Sequence, residues 1–523
     1  MDRQDMMDAL ANEKDLWDVA VIGGGATGLG VAIDAVSRGY KTILVEQDDF
    51  SKGTSSRSTK LVHGGVRYLK QGNLSLVLEA LHERGIMMQN APHLVSNQAF
   101  IVPNYDWWEG PFYGIGMKVY DMLAGKLGLR PSRNLSVREV LQRIPTLEPK
   151  GLKGGVIYYD GQFDDSRLAV NMAQTIAEHG GICINYMEAV GLMKTKRVVG
   201  GVMAKDVETG TVYEIPARVV VNATGAFVDG ILKMDDPQAK NIVSPSQGVH
   251  LIVDKKFLPG RSAVMVPHTD DGRVLFAVPW HNKVVLGTTD TKIDEVSLEP
   301  RAQEEEIDFI LKHACRYLSQ DPTRSDVQSV FAGIRPLIKM GDGKNTAELS
   351  RDHNLFISPS GLVTITGGKW TTYRKMGEDT VNQAAVVAGL ERRPCVTENM
   401  RIHGWLKNIN PADPLGHYGS DILRIRRLIA EEPALGERLH KELPYLKAEV
   451  VWGVRYEMAR TVEDVLSRRT RALLLNARAS MEMAPVVAEM MADEMNKNKA
   501  WQKKQVTAYR KLAAGYLPKM EKA

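Results

Sequence analysis

Three glycines near the start of the chain have the spacing of a turn that binds a pyrophosphate. Gly23, Gly25 and Gly28 fit the pattern GxGxxG. The first glycine permits a tight turn, the second lets the backbone approach the phosphates, and the third lets a helix pack close to a strand. Glu46 lies 21 residues after Gly25, where a carboxylate can accept hydrogen bonds from a ribose. The pattern predicts dinucleotide binding and leaves NAD and FAD open as alternatives.

The residues around these glycines predict the elements that hold the turn in place. Residues 19–22 form an apolar run of strand type, and residues 29–38 have apolar side chains at helical spacing. Gly39 lies where a helix C-cap is expected, and residues 42–45 form a second strand-like run that ends at Glu46. The segment therefore predicts a strand–helix–strand unit with the pyrophosphate at the helix N-terminus.

A second polar cluster lies between residues 51 and 69, where the sequence reads SKGTSSRSTKLVHGGVRYL. Its serine and threonine hydroxyls, together with Lys60, suit a phosphate. Gly64 and Gly65 would let the backbone pass close to a flat ring. The alternative interpretation is an ordinary surface loop.

Two shorter glycine segments also follow strand-like runs. Residues 222–225, Asn-Ala-Thr-Gly, are either a turn that faces a cofactor or an ordinary turn. Residues 367–369, Gly-Gly-Lys, precede a predicted helix, whose N-terminus would stabilise negative charge on a bound ring. The alternative there is a plain helix start.

Composition excludes several classes of protein. The chain has 523 residues, which suggests about three domains, and its net charge of +4 is too small to indicate nucleic acid as a partner. The three cysteines include no CxxC pair, which argues against a disulfide framework, an iron–sulfur cluster and a cysteine zinc site. We find no secretory signal and no spanning segment. We expect a cytosolic protein without a metal that at most lies on a membrane.

The order of elements predicts a change of architecture near the C-terminus. Residues 250–290 are dominated by strand-like runs, whereas residues 304–317 and 371–388 have helical patterns. From residue 421 onward the pattern is almost wholly helical. We therefore place a domain boundary at about residue 395.

Taken together, these segments closely resemble the FAD-dependent, respiratory glycerol-3-phosphate dehydrogenases, within the wider class that includes D-amino-acid oxidase. The matching segments lie in the family's order along nearly the whole chain. They are VIGGGATGLG (21–30), TSSRSTKLVHGGVRYL (54–69), APHLV (91–95), VVNATGAFVD (220–229), VPWHNKVVLGTTDT (278–291), FAGIRPL (331–337), TGGKWTTYRKMGED (366–379) and VRYEMARTVEDVLSRRTRALLL (454–475).

The resemblance implies an α/β fold, α+β overall, with an FAD-binding Rossmann-like domain of the D-amino-acid-oxidase or glutathione-reductase type. A β-rich substrate domain and an all-helical C-terminal domain would accompany it. We assign residues 16–390 to the oxidoreductase region, with the FAD-binding parts at about 16–75, 151–229 and 336–390. The substrate parts are then about 76–150 and 230–335, and residues 395–523 form the helical domain.

The resemblance also implies the residues of the site. FAD would be held noncovalently by residues of the four glycine-containing segments: Gly23, Gly25, Gly28, Glu46, Thr54, Ser55, Ser58, Thr59, Lys60, His63, Gly64, Gly65, Ala223, Thr224, Gly225, Gly368, Lys369, Trp370 and Thr371. The substrate, a small dianion, would be bound by Arg67, Tyr68, Arg335, Arg351 and Lys369. Arginine suits a phosphate because its planar fork donates two parallel hydrogen bonds.

The implied reaction is oxidation of sn-glycerol 3-phosphate to dihydroxyacetone phosphate, with the hydride passed to N5 of the flavin. The base that removes the hydroxyl proton would be His63 or His250, with a slight preference for His63. Arg335 would stabilise the developing alkoxide.

The implied electron acceptor is a membrane quinone, because the chain lacks the extra insertion of the oxidase-type relatives. The enzyme would be a cytoplasmic homodimer attached peripherally to the inner face of the cell membrane. Its basic, aromatic tail (residues 496–523) would either rest on anionic lipid or pack on its own domain, and the aromatic residues 107–113 are a second candidate. Alternatives are a glycerol-3-phosphate oxidase that uses oxygen, an FAD-dependent oxidase of another small substrate, and a flavin-containing sensor without activity.

Overall fold

The computed structural model describes residues 1–65, 74–106, 109–124, 128–266, 269–270, 272–338, 353–410 and 412–519. The strands in chain order are β1 (Trp17–Ile22), β2 (Thr42–Val45), β3 (Leu61–Val62), β4 (Val95–Asn104), β5 (Arg133–Leu135), β6 (Gly154–Phe163), β7 (Ile182–Ile184), β8 (Met187–Thr195), β9 (Val198–Asp206), β10 (Val212–Asn222), β11 (Val243–Asp254), β12 (Ala263–Val266), β13 (Leu275–Trp280), β14 (Lys283–Gly287), β15 (Thr291–Lys292), β16 (Ser329–Ile338), β17 (His353–Ile357) and β18 (Val363–Gly367).

The α-helices are distributed over the whole chain. They are α1 (Arg3–Asn12), α2 (Ala26–Ser37), α3 (Leu74–Asn90), α4 (Glu109–Ala124), α5 (Val137–Arg143), α6 (Asp165–Glu178), α7 (Val228–Asp235), α8 (Glu304–Tyr317), α9 (Tyr373–Val387), α10 (Ile422–Glu431), α11 (Lys447–Glu457), α12 (Ala472–Leu475), α13 (Ala477–Glu494) and α14 (Lys499–Ala514).

The first sheet carries the predicted strand–helix–strand unit. Its strands run in the order β17-β18-β10-β1-β2-β7, and β8 and β9 extend it through β10. β1 pairs in parallel with β2 and with β10, and β10 pairs in parallel with β18. The carboxyl ends of these strands therefore meet at one edge of the sheet, the place where doubly wound sheets bind their ligands.

Two helices cover one face of this sheet at unusually close range. A Cβ added to Gly30 of α2 would lie 2.7 Å from the carbonyl oxygen of Tyr373, and one added to Gly377 of α9 would lie 2.5 Å from the carbonyl oxygen of Gly30. Glycine at both positions lets α2 and α9 touch through their backbones. The N-termini of both helices consequently lie beside the same sheet edge.

The second sheet is antiparallel for the most part. Its strands follow the order β15-β11-β14-β13-β12-β4-β6-β3, with β16 paired to β11 and β5 paired to β6. The long pair of β11 and β16 runs from Val243 opposite Ile338 to Ile252 opposite Ser329. This is the β-rich part that the sequence predicts.

Two strands in the proposed FAD-binding ranges belong to the second sheet. β3 and β6 lie in the FAD-binding ranges 16–75 and 151–229, but both pair within the second sheet. The boundary at residue 335 cuts through β16, which also belongs to that sheet. An apolar strand carries no mark of its pairing partner, so the sequence does not show to which sheet a strand belongs, and the proposed boundaries stay predictions.

The C-terminal region is helical, as the sequence predicts. Helices α10 to α14 and the π-helix Asp464–Arg469 fill the range from residue 422 to residue 514. The α/β class with a helical C-terminal domain is confirmed. In the described part of the chain, no helix combines the length and apolar character needed to cross a bilayer.

Candidate cofactor site

A cavity of about 490 Å³ lies at the carboxyl edge of the first sheet. Three segments form its walls: residues 23–27 after β1, residues 51–57 after β2, and residues 223–227 after β10. Residues from 294 to 300 close its far side. The three predicted glycine segments that follow β1, β2 and β10 thus meet around one space.

The glycine turn leaves no room for side chains on its inner surface. Gly23 has a φ of +111°, and a Cβ there would lie 2.7 Å from the carbonyl oxygen of Ala223. A Cβ on Gly28 would lie 1.9 Å from the carbonyl oxygen of Gly23. Gly25 is the N-cap of α2 and makes no side-chain hydrogen bond. Because Gly25 and Ala26 line the cavity, the positive end of the helix dipole faces it. This cradle suits a pyrophosphate.

Glu46 lies at the end of β2 and lines the cavity. Its Oε2 accepts from the backbone N–H of Gly24 at 2.6 Å and its Oε1 from that of Asp48 at 3.0 Å. Burial raises the pKa of the Glu46 carboxyl to about 7. The hydrogen bonds fix its orientation, and a ribose hydroxyl would supply a further donor that favours the carboxylate form.

The segment after β2 forms the opposite wall. The Oγ of Ser55 accepts from the backbone N–H of Ala26 at 2.9 Å, and the Oγ1 of Thr54 donates to the carbonyl oxygen of Ile334 at 2.6 Å. The Nε1 of Trp370 donates to the carbonyl oxygen of Ser55 at 2.8 Å. Both predicted residues, Thr54 and Ser55, line the cavity.

Lys60 and Ser58 do not face the cavity. The Lys60 side chain is 0% exposed, and its Nζ donates to both carboxylate oxygens of Asp165 at 2.8 and 2.7 Å and to the carbonyl oxygen of Ser56. The Oγ of Ser58 donates to Asp165 at 2.7 Å. The carboxylate of Asp165, which the local sequence pattern does not reveal, satisfies both groups, and their predicted contact with the cofactor stays a prediction.

His250 and Arg335 lie on the paired strands β11 and β16 of the second sheet. His250 is 2% exposed, stacks on Phe331 with ring centroids 4.9 Å apart, and has its Nε2 2.9 Å from the Oγ1 of Thr59. Burial, with the nearby charges of Arg335 and Lys60, holds the pKa of His250 well below its usual range. His250 is consequently neutral, and Thr59 contacts it instead of lining the cavity.

The guanidinium of Arg335 is held by the second sheet. Its Nη2 donates to the Oγ1 of Thr288 at 3.2 Å and to the carbonyl oxygen of Thr289 at 3.1 Å, and its Nη1 lies 3.5 Å from the carboxylate of Asp290. The extended backbone expected before Pro336 is present, since both residues belong to β16.

His63 and Thr371 join the second polar segment to the start of α9. The backbone N–H of His63 donates to the Oγ1 of Thr371 at 3.3 Å, and the His63 ring meets Phe276 edge-on with centroids 6.5 Å apart. The backbone N–H of Gly64 donates to the hydroxyl of Tyr120 at 2.8 Å. Gly367 and Gly368 have φ values of +80° and +72° and lead into the short helical turn Trp370–Thr372.

Comparisons with known proteins agree with this geometry. Residues 18–374 match the family model for FAD dependent oxidoreductases, and residues 395–505 match the C-terminal domain of alpha-glycerophosphate oxidase. The mitochondrial glycerol-3-phosphate dehydrogenase of Homo sapiens is 42% identical over 516 residues, covering 92% of this chain and 71% of that protein. The chain belongs to the FAD-dependent glycerol-3-phosphate dehydrogenase family.

Solved structures add to the comparison. The glycerol-3-phosphate dehydrogenase from Bacillus halodurans complexed with FAD has a TM-score of 0.80 and 31% identity, covering 100% of this chain and 99% of that one. The L-alpha-glycerophosphate oxidase from Mycoplasma pneumoniae with FAD bound has a TM-score of 0.57 and 15% identity, covering 75% and 100%. The second likeness shows the shared fold alone. The predicted fold type is confirmed.

FAD is the cofactor of this dehydrogenase, and the cavity fits it. A Cβ on Gly23 or Gly28 would clash with a backbone carbonyl oxygen, so the turn presents backbone to a pyrophosphate, while Glu46 lines the same cavity, where it could accept from a ribose hydroxyl. The predicted cofactor residues that line the cavity are Gly23, Gly25, Glu46, Thr54, Ser55, Ala223, Thr224 and Gly225.

The remaining predicted residues of the dehydrogenase fall into two groups. The described ones do not line the cavity: Gly28, Ser58, Thr59, Lys60, His63, Gly64, Gly65, His250, Arg335, Gly368, Lys369, Trp370 and Thr371. Arg67, Tyr68 and Arg351 lie outside the described residues. The roles assigned to all of these stay predictions.

Sequence reasoning missed some of the cavity walls. Lys52 and Arg57 line the cavity beside the predicted Thr54 and Ser55, and their position inside the same polar cluster was a usable signal. The segment from Asp294 to Pro300 also lines it. That segment carries no motif, so only the folded chain reveals it.

Proposed function

We propose that this protein oxidises sn-glycerol 3-phosphate to dihydroxyacetone phosphate and passes the two electrons to a membrane quinone. The observation that carries the proposal is the neutral, buried His250 beside the held guanidinium of Arg335, on strands that adjoin the FAD region. The substrate comes from the names of the relatives, which match 92% of the chain at 42% identity.

His250 is the better candidate for the proton acceptor. Its low pKa keeps it unprotonated at neutral pH, and its Nδ1 has no hydrogen-bond partner among the described residues. A neutral imidazole with one buried ring nitrogen that lacks a partner can take the proton of a substrate hydroxyl. His63 has a backbone contact to Thr371 and a ring contact to Phe276, which fit a role in shaping the site.

Arg335 would bind the oxygen that loses the proton, because a fixed cation stabilises developing negative charge. The bound flavin supplies the acceptor for the hydride. Lys369, at the turn before α9, would neutralise part of the substrate phosphate. Arg67, Tyr68 and Arg351 are proposed to complete the phosphate site.

The test is the visible absorption of the purified protein without oxygen, before and after addition of glycerol 3-phosphate. We expect loss of the oxidised flavin bands with glycerol 3-phosphate and none with glycerol. In the Arg335→Ala variant, kcat/KM should fall at least ~100-fold through lost transition-state stabilisation. A protein that stays yellow with glycerol 3-phosphate would overturn the substrate, and near-wild-type turnover of Arg335→Ala would overturn the role of Arg335.

The acceptor is tested on the same reduced protein. A short-chain ubiquinone analogue should reoxidise it much faster than dissolved oxygen does. The alternative, an oxidase, rests on the shared fold of the Mycoplasma pneumoniae enzyme at 15% identity. Faster reoxidation by oxygen than by quinone would favour that alternative.

A quinone acceptor requires contact with a membrane, and the C-terminal tail is not the best surface for it. Tyr509 and Tyr516 are buried, and Trp501, Leu512 and Leu517 pack against a hydrophobic core that the helical domain shares with the second sheet. These contacts favour the interpretation in which the tail packs its aromatic residues on the protein over the one in which they rest on lipid. The lysines in the described part of the tail, up to Lys519, are exposed.

Helices α3 and α4 offer a better surface. Leu74 and Leu78 of α3 are exposed, as are Ile115 and Met122 of α4, at 68% and 74%. Large exposed apolar side chains on two helices in contact with each other are typical of an interfacial membrane site. We propose that this surface lies on the inner face of the cell membrane, with the enzyme in the cytoplasm.

Vesicle sedimentation tests the surface. The double change Ile115→Glu/Met122→Glu should lower binding to vesicles of mixed neutral and anionic phospholipid at least fivefold. Leu423→Glu, at an equally exposed leucine of α10 (75%), is the control and should bind normally. Unchanged binding of the double variant would rule out α4. A homodimer stays a prediction, which light scattering of the holoenzyme checks.

A further inference from the structure

The wall of the FAD cavity formed by residues 49–57 is tied to the C-terminal helical domain by buried charges. Asp49 is fully buried and accepts from Nε of Arg468 at 2.5 Å and from Nη2 of Arg469 at 2.9 Å. These partners are 419 and 420 residues away along the chain. Ser51, two residues after Asp49, already lines the cavity.

Further contacts hold the same wall at Lys52 and Arg57. The Nζ of Lys52 forms an ion pair with Glu463, which also accepts from Nη1 of Arg468 at 3.0 Å. The Nη2 of Arg57 donates to Glu299 at 2.7 Å and to the hydroxyl of Tyr516 at 3.2 Å. Both Lys52 and Arg57 line the cavity, so each end of the wall is attached to the C-terminal domain.

The C-terminal side of these contacts is itself held by buried hydrogen bonds. Arg468 and Arg469 end the π-helix Asp464–Arg469, a wide turn of a kind that is common at functional sites. Asp464 accepts from Nη2 of Arg468 at 2.7 Å and from the hydroxyl of Tyr186. Buried hydrogen-bonded charges of this kind hold a defined geometry, because any displacement leaves a charge uncompensated.

We propose that the C-terminal helical domain is part of the FAD-retention apparatus, with Glu463, Arg468, Arg469 and Tyr516 acting as positioning residues for the cavity wall. None of the four lines the cavity. They act through Asp49, Lys52 and Arg57. The positions of these three residues set the distance between this wall and the glycine turn on the other side of the cavity. Because coupling is reciprocal, bound FAD strengthens the docking of the C-terminal domain.

The experiment measures the rate at which the holoenzyme releases FAD on dilution, followed by flavin fluorescence. The variants Glu463→Gln and Tyr516→Phe both keep the shape of the side chain. The first removes the negative charge that pairs with Lys52, and the second removes the hydroxyl that accepts from Arg57. Release should be about tenfold faster in both, the size expected when a hydrogen bond to a charged group is lost.

Two matched controls distinguish the loss of contacts to the cavity wall from a general destabilisation of the C-terminal domain. Arg460→Gln breaks a C-terminal ion pair to Glu208, and Tyr509→Phe removes a buried hydroxyl of the same helical domain. Both should release FAD within twofold of the wild-type rate. Equal acceleration in the controls, or none in Glu463→Gln and Tyr516→Phe, would overturn the proposal.

A second measurement needs no variant. Hydrogen exchange of the wild-type protein is compared at full and at partial FAD occupancy. The amides of Asp464–Arg469 should exchange more slowly when FAD is bound, whereas those of the distant helix α10 should not change. Exchange at Asp464–Arg469 that is independent of FAD would contradict the coupling, even if the variants fail to fold.

Discussion

The two walls of the FAD cavity are built from contacts of very different length along the chain. The glycine-turn wall is closed by the hydrogen bond from Gly24 to Glu46, across 22 residues. The wall at residues 49–57 depends on Ile334, Trp370 and Glu463, which lie 280, 315 and 411 residues from their partners. The first wall is encoded locally by backbone sterics, whereas the second exists only after the whole chain has folded.

The largest expected effect lies in the locally encoded wall. In Gly28→Ala the new Cβ would lie 1.9 Å from the carbonyl oxygen of Gly23, a backbone atom that cannot yield without opening the turn. We expect loss of FAD from the purified protein, measured as the ratio of flavin to protein absorbance. Gly200→Ala is the control, since a Cβ there meets nothing within 4 Å. A Gly28→Ala protein that retains its full FAD content would show that the turn can accommodate a Cβ at residue 28.

The next effect concerns stability at Lys60, which follows the long-range wall and donates to the carbonyl oxygen of Ser56 within it. In Lys60→Met the carboxylate of Asp165 loses its buried cation, which should cost about 3–5 kcal/mol. Urea unfolding of the holoenzyme measures this loss. The double variant Lys60→Met/Asp165→Asn should recover much of it, because no uncompensated charge remains. Unchanged stability together with faster FAD release would return Lys60 to the phosphate role that the sequence suggested.

The difference between the walls explains what the sequence could predict. Gly23, Gly25, Gly28 and Glu46 act within one strand–helix–strand unit, so their spacing alone reveals the site. Helix α8 is predicted at residues 304–317 and observed at Glu304–Tyr317, because its apolar periodicity is also a local signal. Element type and local turns are therefore accessible without the fold.

The features that could not be predicted from the sequence depend on contacts between segments that are distant along the chain. Nothing near Lys60 in the sequence indicates that Asp165 will neutralise it. Likewise, the apolar residues of β6 predict a strand but not the sheet to which it belongs. The ion pair of Asp49 with Arg468 is invisible for the same reason. These contacts form only when the whole chain has folded, and no local sequence pattern predicts them.

A pH effect comes third and belongs to the glycine-turn wall. The pKa of Glu46 is raised by burial from 4.5 to about 7. Between these two pH values, the Glu46 carboxyl of the FAD-free protein is therefore protonated in the folded state and ionised in the unfolded chain. Stability from this group is fully present below about pH 4.5 and is lost as the pH rises through about 7.

The variant Glu46→Gln isolates this contribution. The thermal midpoint of FAD-free wild type should fall from pH 5 to pH 8 more than that of Glu46→Gln, measured by circular dichroism in matched buffers. Other titrating groups are common to both proteins and cancel in the difference. Parallel curves would mean that the Glu46 carboxyl is well solvated inside the cavity.

The smallest effect tests whether the two walls are coupled. The Oγ of Ser55 accepts from Ala26 in the glycine-turn wall, while its carbonyl oxygen accepts from Trp370. Ser55→Ala removes one such bond, worth about 0.5–1.5 kcal/mol, and should speed FAD release about fivefold. Ser56→Ala removes a bond of similar length to Ser51, but that bond lies inside one wall. Equal release rates in the two variants would mean that the two walls hold FAD independently. Faster release from Ser55→Ala would mean that the long-range wall supports the glycine-turn wall through the hydrogen bond between Ser55 and Ala26.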